Sequence, residues 1–282
     1  MISASQTNLS TGRTAGWIFQ QLGTPNEDAR VDNWLLMSSP WPVLALISAY
    51  LLISTQGPKV MEKKKPFDLQ LYMIAYNFVL VILSTYTAIE VFIATFLNPQ
   101  FNGPACAPVD YSNNPSSMRL LSICWLYLIT KCIHLSETAV FVLRKKNSQI
   151  SFLHVYHHAS MPILWWITVK HCGGGSAYFP VLINSSVHGV MYFYYLMAAM
   201  GEWTRPYLWW KRYITLMQMV QFWVVAIHIL HSIYLDCGYP KGYQWLLVAF
   251  LITQKVLFMN FYLKAYNNSA ARASKKGSSK NE

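Results

Sequence analysis

Seven apolar runs constrain this chain more than any other feature. They fall at 38–56, 70–97, 118–143, 150–169, 177–200, 211–235 and 243–266, with short polar connections between them. Each approaches the roughly 20 residues that an α-helix needs to cross the hydrocarbon of a bilayer. A segment in lipid must satisfy its own backbone hydrogen bonds, so the pattern predicts helices rather than an open sheet. The chain is 54% hydrophobic and only 12% charged, whereas a soluble domain carries about a quarter charged residues. The expected architecture is all-α, a polytopic membrane protein of about seven transmembrane helices. It divides into an N-terminal segment over 1–37, a membrane domain over 38–266 and a polar, disordered tail over 267–282. Residues 1–37 have no basic start followed by an apolar stretch, so no cleavable signal peptide is expected.

The net charge of +11 raises nucleic acid as a partner, but the placement of the charge argues against it. Fifteen of the 22 Lys and Arg lie in 57–69, 142–149, 201–212 and 264–282, and five lie in the alternate segments 1–37, 98–119, 170–176 and 236–242. Basic connections mark the cytoplasmic side of a membrane protein. The implied partner is the lipid bilayer, with the N-terminus lumenal and the tail cytosolic. The sequon Asn8-Leu9-Ser10 is then lumenal, and Asn8 is a glycosylation candidate. Five cysteines without a CxxC pair carry no zinc or thioredoxin signature. Cys106 and Cys237 fall in two lumenal segments, where an oxidising compartment favours pairing. A disulfide between them is expected, with Cys124, Cys132 and Cys172 within or at the ends of spans.

Polar groups inside the runs each need a reason, because hydrocarbon penalises them. The third run has Lys131, His134 and Glu137, and the fourth has His154, His157 and His158. The fifth has His188, Met191, Tyr192 and Tyr195, and the sixth has Thr215, Gln218 and Gln221. Spacings of three and four put each set on one helix face. At 1.5 Å per residue, these groups lie about 10–18 Å from the cytosolic ends of their helices. The stripes therefore predict a polar chamber in the cytosolic half of a bundle. Lys255, near the middle of the seventh run, either lines that chamber or pairs with an acid such as Glu90. His171, His228 and His231 read as structural.

Two chemistries fit such a chamber. Imidazoles at i, i+3 and i+4 can share iron, copper or zinc, although this chain has one HxxHH rather than several histidine boxes. Alternatively, a neutral imidazole held away from water is a nucleophile and a general base. Gln218, Gln221, Tyr192 and Lys131 would then stabilise an oxyanion or enolate, and Cys124 and Cys132 are rival nucleophiles. Arg144, Lys145, Lys146, Lys211 and Arg212 cluster at the cytosolic mouth and suit an anionic ligand.

Five strings resemble the eukaryotic elongases of very-long-chain fatty acids: FVLRKKNSQISFLHVYHH (141–158), HGVMYFYY (188–195), TLMQMVQ (215–221), WLLMSSP (34–40) and GPKVMEKKKPF (57–67). The resemblance runs from about Asp32 to Tyr266. It implies an enzyme of the endoplasmic reticulum membrane, an acyltransferase that condenses long-chain acyl-CoA with malonyl-CoA. The products are 3-ketoacyl-CoA, carbon dioxide and CoA, with no metal and no redox cofactor. It implies an apolar tunnel for the acyl chain and a ping-pong route in which His157 carries the acyl group. His154 and His158 assist it, and His188 and Gln221 line the site. The cycle's ketoreductase, dehydratase and enoyl reductase are implied partners, and an oligomer is compatible with all of this. The third run departs from the family's usual KxxExxDT, since His134 replaces the glutamate and Glu137 the aspartate.

Overall fold

The computed structural model describes residues 27–99, 101 and 105–264. Its framework is seven long helices: α1 Trp41–Val60, α2 Gln70–Thr95, α3 Pro115–Leu143, α4 Phe152–Cys172, α5 Tyr178–Ala199, α6 Lys211–Tyr234 and α7 Lys241–Tyr262. Among the described residues there is no strand. Asn8 and the tail from 265 onward lie outside them.

Local chemistry sets where the helices begin. The Asn114 side chain accepts the Ser117 amide and Pro115 occupies the first helical turn, so α3 starts three residues ahead of its apolar run. Ser151 caps α4 by accepting the amide of His154 at 3.3 Å. Pro162 inside α4 has no N–H to give the His158 carbonyl, which loosens the helix just after the histidines.

Five helices, α1, α2, α3, α6 and α7, are long and apolar enough to cross a membrane by length and composition. The other two, α4 and α5, match them in length but carry the histidines, an asparagine and several tyrosines. Most of their polar residues turn into the bundle, with Thr168, Lys170, His171, Ser185 and His188 buried and Ser186 exposed. Helices α3, α4 and α5 hold most of the core, with Leu121, Leu128, Val169 and Val181 fully buried and Tyr127 edge-on to Trp165. Small residues bring helices close, as membrane helices require. A Cβ at Gly57 of α1 would stand 2.8 Å from Val142 Cγ1 of α3.

The two ends of the bundle differ. One end is knitted shut. Cys106 is bonded to Cys237, Lys170 pairs with Asp32 and Glu27, and Arg30 reaches Asp28, the Ser112 carbonyl and Ser117. Trp125 and Trp166 donate to the carbonyls of Leu35 and Leu36, and Tyr239 donates to that of Cys172. In this end Gly175 adopts φ +47°, and a Cβ there would meet the Pro108 carbonyl oxygen at 2.6 Å. The other end carries the basic connections. One expectation is corrected: Lys255 does not pair with Glu90. Glu90 binds Arg119 at 2.6 Å, and the Lys255 ammonium lies 3.3 Å from the centre of the Trp223 ring.

Candidate functional site

The histidine box sits in the first two turns of α4, at the basic end. His154 Nε2 is hydrogen-bonded to Thr138 Oγ1 of α3 at 2.7 Å, and that hydroxyl is 3.4 Å from the Tyr50 hydroxyl of α1. His158 lies one turn further in, its ring 4.1 Å from that of His154. Its Nε2 is 3.7 Å from Glu137 Oε2, so the glutamate faces the box across the α3–α4 contact. The His157 ring meets His158 edge-on at 5.4 Å.

Helix α5 supplies the opposite wall. His188 stacks on His134 of α3, with ring centres 5.2 Å apart and planes 10° apart, and Tyr192 packs against both. His134 Nε2 and His188 Nδ1 are buried without a hydrogen-bond partner among the described residues. An unsatisfied buried polar atom costs about 1–3 kcal/mol, so the two nitrogens are suited to bonding a guest. The residue that breaks the elongase-like pattern thus lies directly on one of the expected site histidines.

Deeper in the bundle runs a chain of polar contacts. Lys131 is only 3% exposed; its ammonium donates to Asn184 Oδ1 at 2.7 Å and lies over the Tyr127 ring. The Tyr127 hydroxyl donates to the same oxygen at 2.5 Å. With its oxygen engaged by two donors, Asn184 must present its amide hydrogens elsewhere, and Nδ2 donates to Gln221 Oε1 at 3.2 Å. That contact in turn fixes the Gln221 amide, leaving its NH₂ as a donor.

The structure therefore brings His154, His157, His158, His188, Lys131, Tyr192 and Gln221 into one region, bounded by α3, α4, α5 and α6. Gln218 lies one turn from Gln221 and donates to Met191 Sδ at 3.1 Å. Tyr195 packs edge-on against Tyr192 at its border. The basic residues sit above, at the mouth. Lys146, Lys211 and Arg212 are exposed, and Arg212 also donates to the Tyr262 hydroxyl. Arg144 contacts Met73 Sδ. Lys145 is tied down, donating to the Glu62 and Lys64 carbonyls at 2.8 and 3.0 Å. Asn184, Tyr127 and Thr138 were absent from the expected site. Asn184 is four residues before His188, one helical turn along the same face, so spacing could have found it. Glu137, His154 and His158 have donor atoms within 4.8 Å of one another, a set that could hold a transition metal. His228, by contrast, stacks on Phe179 at 4.0 Å, away from the site.

The sequence profile of the ELO (GNS1/SUR4) family matches residues 35–275. Very long chain fatty acid elongase 4 of Homo sapiens is 45% identical over 239 residues, covering 85% of this chain and 76% of that protein. Elongase 7 of Rattus norvegicus is 44% identical over 242 residues, 85% of each chain. Elongase 1 of Mus musculus is 39% identical over 245 residues, 85% of this chain and 86% of the relative.

Proposed function

Because the chain belongs to the ELO family of membrane proteins and has a role in fatty acid elongation, we propose that it performs the condensing step, joining long-chain acyl-CoA to malonyl-CoA. The observation that carries this reading is the meeting of five imidazoles, His134 among them, with the Lys131–Asn184–Gln221 chain in one buried polar region. His157 attacks the acyl thioester carbonyl, the C–S bond breaks, and CoA leaves with the imidazole proton. His154, held by Thr138, and His158, facing Glu137, orient that imidazole and move the proton. Malonyl-CoA then loses carbon dioxide, and the electron pair of the broken C–C bond becomes an enolate. The enolate attacks the acyl-imidazole carbonyl, the C–N bond breaks, and the departing imidazole takes up a proton from the cytosol through His158, leaving 3-ketoacyl-CoA and neutral His157. His188 and the Gln221 NH₂ stabilise the enolate oxygen, and Lys131 fixes the amide chain behind it. Excluding water protects the acyl-imidazole from hydrolysis.

The CoA phosphates bind at the mouth on Arg144, Lys146, Lys211 and Arg212. The acyl chain runs into an apolar tunnel toward the closed end. The setting is the endoplasmic reticulum membrane, with seven spans, the N-terminus lumenal and the basic end cytosolic. The next three enzymes of the cycle consume the product. In this reading no metal takes part, although Glu137, His154 and His158 could gather one.

Partial-reaction analysis tests the chemistry. Wild type mixed with acyl-CoA alone releases CoA in a burst of about one equivalent per site. His157→Ala abolishes the burst, and Cys124→Ser and Cys132→Ser retain it. A burst that survives in His157→Ala and disappears in a cysteine variant replaces the imidazole with a thiol. Exhaustive chelation leaves the burst and the turnover unchanged; loss restored by a metal returns the reaction to a metal centre.

A further inference from the structure

Helices α6 and α7 enclose a groove of about 420 Å³ on the outer side of the bundle. Its walls are mostly apolar, with Phe222, Trp223, Leu251, Ile252 and Val256, and carry one uncharged polar side chain, Asn260. Trp223 is 57% exposed and Val256 62%, so the groove opens sideways, to where acyl chains of a bilayer lie. One charged side chain lines it, Lys255.

This ammonium is far from the membrane face. Arg212, at the start of α6, bonds Tyr262, at the end of α7, so these two helix ends lie together at the basic end. Lys255 is seven residues before Tyr262, about 10 Å into the helix, and Trp223 is twelve residues after Lys211, about 18 Å in. Side chains slope toward the N-terminus of their own helix. On α7 that direction leads deeper into the bilayer, and the ammonium ends over the Trp223 ring rather than rising to the near interface. Lys255 is in none of the ion pairs among the described residues. A cation at such depth is costly, and a cation–π contact offsets only part of that cost. An anion in the groove would complete the balance.

We propose that this groove is a lateral binding site for a long-chain carboxylate drawn from the bilayer, its headgroup paired with Lys255 and its chain lying along α6 and α7. The chemistry selects this ligand. The phosphate of a two-chain phospholipid stays outside the roughly 30 Å hydrocarbon layer, about 10 Å or more from Lys255. A CoA head is too large and too polar for the slot. A carboxylate is compact, and its negative charge and the ammonium neutralise each other. Phe222, in the groove wall, directly follows Gln221, so occupancy borders the polar site without entering it. The inference depends on the membrane setting of α6 and α7 and not on the condensation chemistry, and its readout is binding rather than turnover.

The test uses the full-length protein in nanodiscs of zwitterionic phosphatidylcholine, titrated with radiolabelled stearate. Wild type is expected to bind saturably. Lys255→Leu weakens the affinity at least tenfold, and Lys255→Arg preserves it. Val256→Trp fills the slot with the cation retained and also weakens binding at least tenfold, which provides a second route should Lys255→Leu fold poorly. Stearyl alcohol, with the same chain and no charge, does not displace stearate. Equal binding by wild type and Lys255→Leu, or displacement by the alcohol as readily as by stearate itself, overturns the proposal. Displacement by phosphatidylserine at the same mole fraction overturns it too, because the occupant is then a phospholipid.

Discussion

At the scale of single residues, Asn184 is the most informative side chain. Its oxygen serves Lys131 and Tyr127, and its NH₂ serves Gln221. Asn184→Asp keeps the acceptor for Lys131 but removes the donor to Gln221, freeing that amide to turn. Loss of one positioned donor to a developing oxyanion typically costs about 10²–10³-fold in rate. Asn184→Asp and Gln221→Leu should therefore each lower kcat by about two orders of magnitude. Since Asn184 acts through Gln221, the double variant should be no slower than the slower single variant. A double variant whose losses multiply would mean that Asn184 works independently of Gln221. A purely structural role would appear in unfolding temperature instead of in this coupling.

At the scale of elements, α4 couples fold to chemistry. Its first turn holds His154, and that turn depends on Ser151, whose hydroxyl accepts the His154 amide. Removing an N-cap costs about 1 kcal/mol. Ser151→Ala should lower the unfolding free energy by about that amount, read by denaturant titration in detergent, and Ser151→Asp should restore it. No change in Ser151→Ala would mean that Thr138 and the α3 contact alone hold the turn. Pro162 follows two turns after His154 and leaves the His158 carbonyl without its helical donor. The box thus lies between a capped start and a loosened middle, on a helix less apolar than its neighbours.

At the scale of the molecule, the bundle has a locked end and a working end. The Cys106–Cys237 bond spans 131 residues of sequence and ties the segment before α3 to the segment before α7. Disulfides typically contribute about 2–4 kcal/mol by restricting the unfolded chain. Cys106→Ser and Cys237→Ser should each lose about this amount, and the double variant no more than either, measured by denaturant unfolding of the purified protein. Additive losses would mean that the two sulfurs contribute separately. The ion pairs of Lys170 with Asp32 and Glu27 reinforce the same end, which leaves the basic end as the natural entry to the histidines.

Much of this was legible in the sequence because helical periodicity is local. An apolar run of about 20 residues dictates a helix wherever it lies, and residues three and four apart share a face whatever the neighbours do. So the seven helices, the four polar stripes and their common depth follow from the order of residues alone. The partners of those stripes do not, because the rotation of each helix and the choice of neighbour depend on how all side chains pack at once. Only the tertiary structure stacked His134 on His188, gave Lys131 an asparagine as its partner, and set Lys145 on loop carbonyls. It likewise matched Glu90 with Arg119 and left Lys255 over an indole ring, facing lipid. Sequence spacing describes one cylinder at a time, and each of these contacts joins two.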